Sequence, residues 1–242
     1  ADIAYDGGPL SPSVNALIFS VLGARLDALI TFNFAVLAAT VFFFYRILRA
    51  VGDRFSAVAG CLLFLSLFAF SQYTYFSGYN HICPYRHEMT HGLLFALGAL
   101  DSLLAYYRRP SLWPIIAAGA FLGLAFLTKV EIFLPAFLAV STGVFLTRWL
   151  QPSRPHGTIR LWAWYLDSLA APVLIAFLLL MTRMSATEAA RGLLSGWAVS
   201  AHTAIWSSPF YLESIGLDAP LKNLHLMLRG AIWYALLFAA FG

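Results

Sequence analysis

The chain reads as an all-α, polytopic transmembrane helix bundle, and three observations predict it. Of 242 residues, 61% are hydrophobic and 11% charged, with 21 Phe, whereas a soluble domain carries about a quarter charged residues. Apolar runs of spanning length, about 17–25 residues, recur along the chain. Basic residues collect in alternate connections, as the positive-inside rule requires of a membrane protein. The formal charge of +4 therefore follows topology, and no nucleic-acid partner is implied.

The elements are expected in the following order. Residues 1–25 form an outer segment, in which Gly7-Gly8-Pro9 forces a turn and residues 12–23, apolar but too short to span, form a helix lying in the interface. Residues 26–182 carry six spans, at about 27–48, 55–72, 88–107, 111–128, 132–149 and 161–182. Arg108-Arg109-Pro110 is a turn signal between the third and fourth. The fourth and fifth meet at Lys129-Val130-Glu131 with almost no loop, and Trp149, Trp162 and Trp164 fall where an interfacial aromatic belt belongs. Residues 183–228 are expected as an outer loop, its Trp197, Trp206, Phe210 and Tyr211 resting on the bilayer or capping a cavity. Residues 229–242 begin a seventh span near Gly230. The whole, 1–242, is expected to be a single transmembrane domain and a fragment truncated at both ends. Cys61 and Cys83 are expected to pack rather than to form a disulfide framework.

Orientation follows from the short connections. Arg46, Arg49, Arg54, Arg108, Arg109, Arg148, Arg154 and Arg160 share one side with Asp53 as its clear acid, and that side is assigned to the cytoplasm. The other side mixes Arg25, Arg86, Lys129, Arg183, Arg191, Lys222 and Arg229 with a similar number of acids. Mixed charge of that kind marks a site rather than an anchor. Asp101 and Asp167, in the cytoplasmic halves of their helices, are expected to be structural and hydrogen-bonded across helices.

Ionisable groups at membrane depth cost several kcal/mol unless paired or wetted, so they mark function by default. Pro84-Tyr85-Arg86-His87-Glu88-Met89-Thr90-His91-Gly92 puts an arginine, two histidines and a glutamate at the mouth of an apolar helix. His87-Glu88-Met89-Thr90-His91 fits H-E-x-x-H, in which two histidines one helical turn apart hold zinc and the glutamate polarises a bound water. An intramembrane metalloprotease would need a third ligand, and Glu131 is the one nearby acid. The same side chains suit anion recognition: Arg86, His87, His81 and Lys129 facing a phosphate, Glu88 and Glu131 holding the cations or accepting from a substrate hydroxyl. The N-terminus of the helix adds free N–H groups there. A third reading makes the cluster a set of bracing ion pairs, such as Arg86 with Glu131. Asp2 and Asp6 present carboxylates from the outer segment, fit for a general base or a metal ligand.

Three stretches resemble one family. Tyr5-Asp6-Gly7-Gly8-Pro9-Leu10-Ser11-Pro12 with the following Val14-Asn15-Ala16-Leu17 resembles the end of the first outer loop of GT-C membrane glycosyltransferases, in the protein-mannosyltransferase-like and aminoarabinose-transferase-like branch. So do Asn80 through Gly92 and Gly123-Leu124-Ala125-Phe126-Leu127-Thr128-Lys129-Val130-Glu131. The resemblance covers roughly residues 1–135. It implies a GT-C-like helix bundle in an integral membrane enzyme, in a bacterial inner (cytoplasmic) membrane, with its active site on the extracytoplasmic face. It implies transfer of a sugar from a polyprenyl-phosphate-linked donor to a glycan, lipid or protein acceptor. It assigns Asp2 or Asp6 as the catalytic acid residue and Arg86 and Lys129 as the phosphate partners. Asn80, His81, Tyr85, His87, Glu88, His91 and Glu131 are then the other substrate-binding positions. A divalent metal, Mg or Mn, is compatible with such chemistry. A transporter or flippase-like scaffold that grips lipid phosphate without chemistry fits the same residues.

Overall fold

The computed structural model describes residues 7–70, 80–82, 87–150, 157–200, 207–214 and 216–241. These are helical apart from short connections and one isolated antiparallel bridge, Phe70 to Asn80. The chain divides into two compact units, Ala1–Trp197 and Ala198–Gly242.

The first unit opens with α1 (Leu10–Leu22), which starts behind Pro9 and stops at Gly23. Gly23 has φ 88°, a conformation open to glycine, and its N–H closes the last turn on the Phe19 carbonyl. At 13 residues, α1 is about 20 Å long and too short to cross the apolar core of a bilayer. α2 (Leu26–Val51) follows. Asp53 then caps α3 (Arg54–Leu63), its carboxylate accepting from the Ser56 N–H at 2.7 Å. That bond, with Arg49 nearby, holds the Asp53 carboxyl below the usual range. α3 continues as a π-helical turn, Phe64–Phe68.

α4 (His87–Arg108) is followed by α5 (Leu112–Phe126), α6 (Val130–Leu150), α7 (Thr158–Met181) and α8 (Ala186–Ser200). Four of these helices, α2, α4, α6 and α7, are long and apolar enough to cross a membrane. The runs expected as the second and fourth spans form shorter apolar helices instead, Arg54–Phe68 and Leu112–Phe126. α5 is short because polar turns cut it at both ends. Ser111 begins it, and Thr128 closes its last turn by donating to the Ala125 carbonyl at 2.6 Å.

α5 is the buried centre of this unit. Gly119 and Gly123 lie one turn apart on it, facing Tyr165, Ser168, Leu169 and Pro172 of α7. A Cβ at either position would collide with α7 backbone, so the two helices approach as closely as small residues allow. Tyr106, Ile115, Leu122, Val140, Val144, Leu161 and Tyr165 fill the core around this contact. The Tyr165 hydroxyl is satisfied by Ser141 Oγ at 2.9 Å.

Side-chain register sets helix direction. Asn33 near the start of α2 reaches Ile82 just ahead of α4, and Arg46 near the end of α2 reaches Asp101 near the end of α4. Gly92 meets Ile132 and Leu103 meets Gly143. Thus α2, α4 and α6 run parallel, with their first turns at one end of the bundle. The cross-helix partner expected for Asp101 is Arg46, at 2.9 Å. Asp167, by contrast, is exposed and makes no such bond among the described residues.

Residues 183–228 are not the plain loop the sequence implied. Beyond α8, the second unit holds α9 (Pro209–Ser214) and α10 (Pro220–Phe241). α10 begins ten residues ahead of the expected start at Gly230. Pro220 suits the first helical position, and Asn223 ties the entry down by donating to the Gly216 carbonyl at 2.8 Å. Lys222, His225 and Arg229 interrupt the apolar pattern there, which hid the helix.

Candidate functional site

The turn between α5 and α6 leaves the Leu127 and Thr128 carbonyls without helical partners. The start of the chain supplies them. Gly8 N–H donates to the Thr128 carbonyl at 2.6 Å, and Leu10 N–H to the Leu127 carbonyl at 3.1 Å. Glycine is needed at position 8 because a Cβ would run into the Leu127 carbonyl. Ser195 of α8 donates to the Gly7 carbonyl at 3.1 Å, pinning the same segment from a third element.

Lys129 follows this turn at once, its carbonyl accepting from Phe133 N–H at 3.0 Å to start α6. Its ammonium lies 4.0 Å from the Glu131 carboxylate, with the lysine side chain 16% exposed and the glutamate 47%. Glu88, in the first turn of α4, is buried at the same end of the bundle. α4 can come close to the turn because Gly92 leaves room. A Cβ there would sit 2.8 Å from Thr128 Oγ1.

His91, one turn on from His87, is buried and hydrogen-bonded through Nδ1 to Ser11 Oγ of α1 at 2.9 Å. The His87 ring is 5.9 Å away and the Phe32 ring 6.0 Å. His91 Nε2 and His87 Nδ1 are buried without hydrogen-bond partners among the described residues. One end of the bundle thus gathers the N-terminal segment, Ser11, His87, Glu88, His91, Thr128, Lys129 and Glu131.

Two expected site residues sit elsewhere. His81 is buried against Phe64 and the Ala69 carbonyl, where burial pushes its imidazole pKa down, partly offset by that carbonyl. It lines an apolar cavity of about 380 Å³ with Thr40, Phe44, Phe68, Leu93 and Leu97. Asn80 accepts from Ile82 N–H at 2.9 Å and so shapes this connection. Asp2, Asp6, Tyr85 and Arg86 lie outside the described residues, as does the Arg86–Glu131 brace. Among the described residues, Glu131 has Lys129 as its charged neighbour.

The H-E-x-x-H pair keeps its one-turn spacing, but no group of three or more His, Cys, Asp or Glu suited to a metal ion occurs among the described residues. Asp2 and Asp6, the carboxylates assigned to a divalent metal, lie outside the described residues. Sequence reasoning passed over Ser11, Thr128 and Ser195. The one signal available was Thr128 directly preceding the lysine; small hydroxyls inside apolar helices ordinarily bond their own backbone.

Compared with family models, curated proteins and solved structures, the chain matches none.

Proposed function

We propose that this chain is an integral-membrane glycosyltransferase that moves a sugar from a polyprenyl-phosphate carrier to an acceptor hydroxyl on the extracytoplasmic face. The observation that carries the reading is the docking of the N-terminal segment on the turn before Lys129, at the end of the bundle where Glu88 is buried. Cation, carboxylate and the segment that follows Asp2 and Asp6 in sequence are drawn to one end of apolar helices. A lipid-linked donor keeps its tail in the bilayer and its phosphate at that depth.

The chemistry needs a base for the acceptor hydroxyl and positive charge on the leaving phosphate. Lys129 supplies the charge as a point cation, joined by the first-turn N–H groups of α4. Arg86 and Tyr85, just ahead of α4 in sequence, are assigned to the same phosphate and sugar. Glu88 and Glu131 hold Lys129 and accept from sugar hydroxyls. Asp2 or Asp6 is assigned as the base on sequence grounds. An apolar groove of about 700 Å³, lined by Phe126, Phe133, Phe137 and Trp197 beside the same turn, suits an isoprenoid chain. The basic ends of α2, α4 and α6 lie at the other end of the unit, which the positive-inside rule assigns to the cytoplasm.

The test is carrier release. The protein in lipid vesicles is given polyprenyl-phosphate sugars with candidate acceptors, and free polyprenyl phosphate is measured. Sugar transfer with stoichiometric carrier release supports the reading. Movement of intact lipid-linked sugar across the bilayer without release would replace it with a transporter.

A further inference from the structure

At the end of the first unit remote from Lys129, a cavity of about 430 Å³ opens where α2 and α4 finish and α5 starts. Arg46, Asp101, Arg108, Arg109, Ser111 and Pro114 stand in its wall. Asp101 is the wall's acid, and it is already committed. Arg46 Nε donates to both of its oxygens, at 2.9 and 3.0 Å, and the guanidinium also stands over the Phe42 ring. Pairing Arg46 with Asp101 leaves Arg108 and Arg109 as uncompensated charge. Arg108 is aimed across the gap between helices by one bond, Nη2 to the Ala50 carbonyl at 3.2 Å, with its other N–H groups left for a ligand. Arg109 makes no ion pair among the described residues.

Two guanidinium forks in the wall of one cavity match the oxygens of a phosphate. The first turn of the 15-residue α5 adds to this, since Ser111 makes no side-chain cap to its N–H groups. The rest of the wall is apolar, with Ala50, Leu104 and Ala105. Trp113, beside Pro114, is exposed as an interfacial anchor would be. A phosphate with hydrocarbon next to it answers both halves of this wall; a free phosphate answers one.

We propose that this cavity binds the phosphodiester headgroup of an anionic phospholipid from the leaflet bordering this end. Binding clamps α2, α4 and α5 together at a point where arginines would otherwise repel. The proposal is independent of the transferase reading, because it uses none of the residues at the Lys129 end.

Native mass spectrometry of the purified protein in detergent tests it, with dioleoyl-phosphatidylglycerol, dioleoyl-phosphatidylcholine of the same chains, and glycerol 3-phosphate as probes. One phosphatidylglycerol per chain should be retained in preference to phosphatidylcholine. Retention should fall roughly fivefold for each arginine removed in Arg108→Gln/Arg109→Gln. It should survive in Arg148→Gln/Arg160→Gln, which removes the same charge from the same end away from the cavity. Asp101→Asn, which raises the local charge, should retain phosphatidylglycerol at least as well as the wild type. Equal loss in both double variants, or equal retention of the two lipids, would overturn the proposal. So would displacement of phosphatidylglycerol by millimolar glycerol 3-phosphate, which would make the site one for soluble phosphate esters.

Discussion

The N–H of Gly8 donates to the carbonyl of Thr128 at 2.6 Å, joining the start of the chain to the turn from which Lys129 emerges. The bond does two jobs. It satisfies a carbonyl of the turn between α5 and α6, and it holds Gly8 against the residue preceding the lysine.

Gly8→Ala should therefore be worse than an ordinary loop substitution. The added methyl meets the Leu127 carbonyl, and overpacking of this kind costs about 1–3 kcal/mol. The expected result is a lower thermal midpoint together with loss of carrier release, at near-normal membrane insertion. Full activity in Gly8→Ala would show that the docking of this segment is incidental.

His91 is expected to act as a packing and hydrogen-bonding residue. A Ser11→Ala/His91→Ala double-mutant cycle on thermal stability should return a coupling of about 1 kcal/mol. Metal analysis of the wild type and His91→Ala should give equal zinc. One equivalent of zinc lost with His91 would bring back the metalloprotease reading.

Asp101→Asn should be mild for sugar transfer. Its partner Arg46 has a side chain 49% exposed, so the guanidinium freed by the neutral amide remains open to solvent. A folded but inactive Asp101→Asn protein would move the site to the other end of the bundle.

Gly119→Leu should be severe for folding. The side chain would enter the space held by Ser168 and the α7 backbone, separating α5 from α7 at the core. Loss of a monodisperse detergent-solubilised species is expected, with the exposed Leu174→Ala as a tolerated control on α7.

Long apolar runs made much of the fold legible. α2, α4, α6 and α7 fall within a few residues of the predicted spans, because length and hydropathy alone set them. α5 was legible in place but not in role. Gly119 and Gly123 form a small-xxx-small face that composition hides among alanines and leucines. α8 and the first turns of α10 fall in the expected outer loop because charges such as Glu188, Arg191 and Lys222 break the apolar signal that helices in lipid show. Glu188 in fact caps its own helix, accepting from Ser185 N–H and Oγ at 2.9 and 2.7 Å. That bonding lowers its carboxyl pKa.

The common end of Glu88 and Lys129 was legible by alternation. Parallel α4 and α6 necessarily bring Glu88 and Lys129 to one end. His81 was not separable from that group by sequence, since the connection turning it toward α2 and α3 is set by Asn33 and Ile82 from distant positions. Ser11 and Thr128 were invisible because a lone hydroxyl in an apolar run has no pattern to betray it.

Carrier release by Lys129→Ala in vesicles, beside its insertion and thermal midpoint, tests the central claim most directly. Removing one preorganised electrostatic contact costs on the order of 10²–10³ in rate, so release should fall by about that factor while insertion and midpoint hold, with Lys129→Arg partly restored. Undiminished release from Lys129→Ala, or parallel loss of release and folded protein, would contradict it.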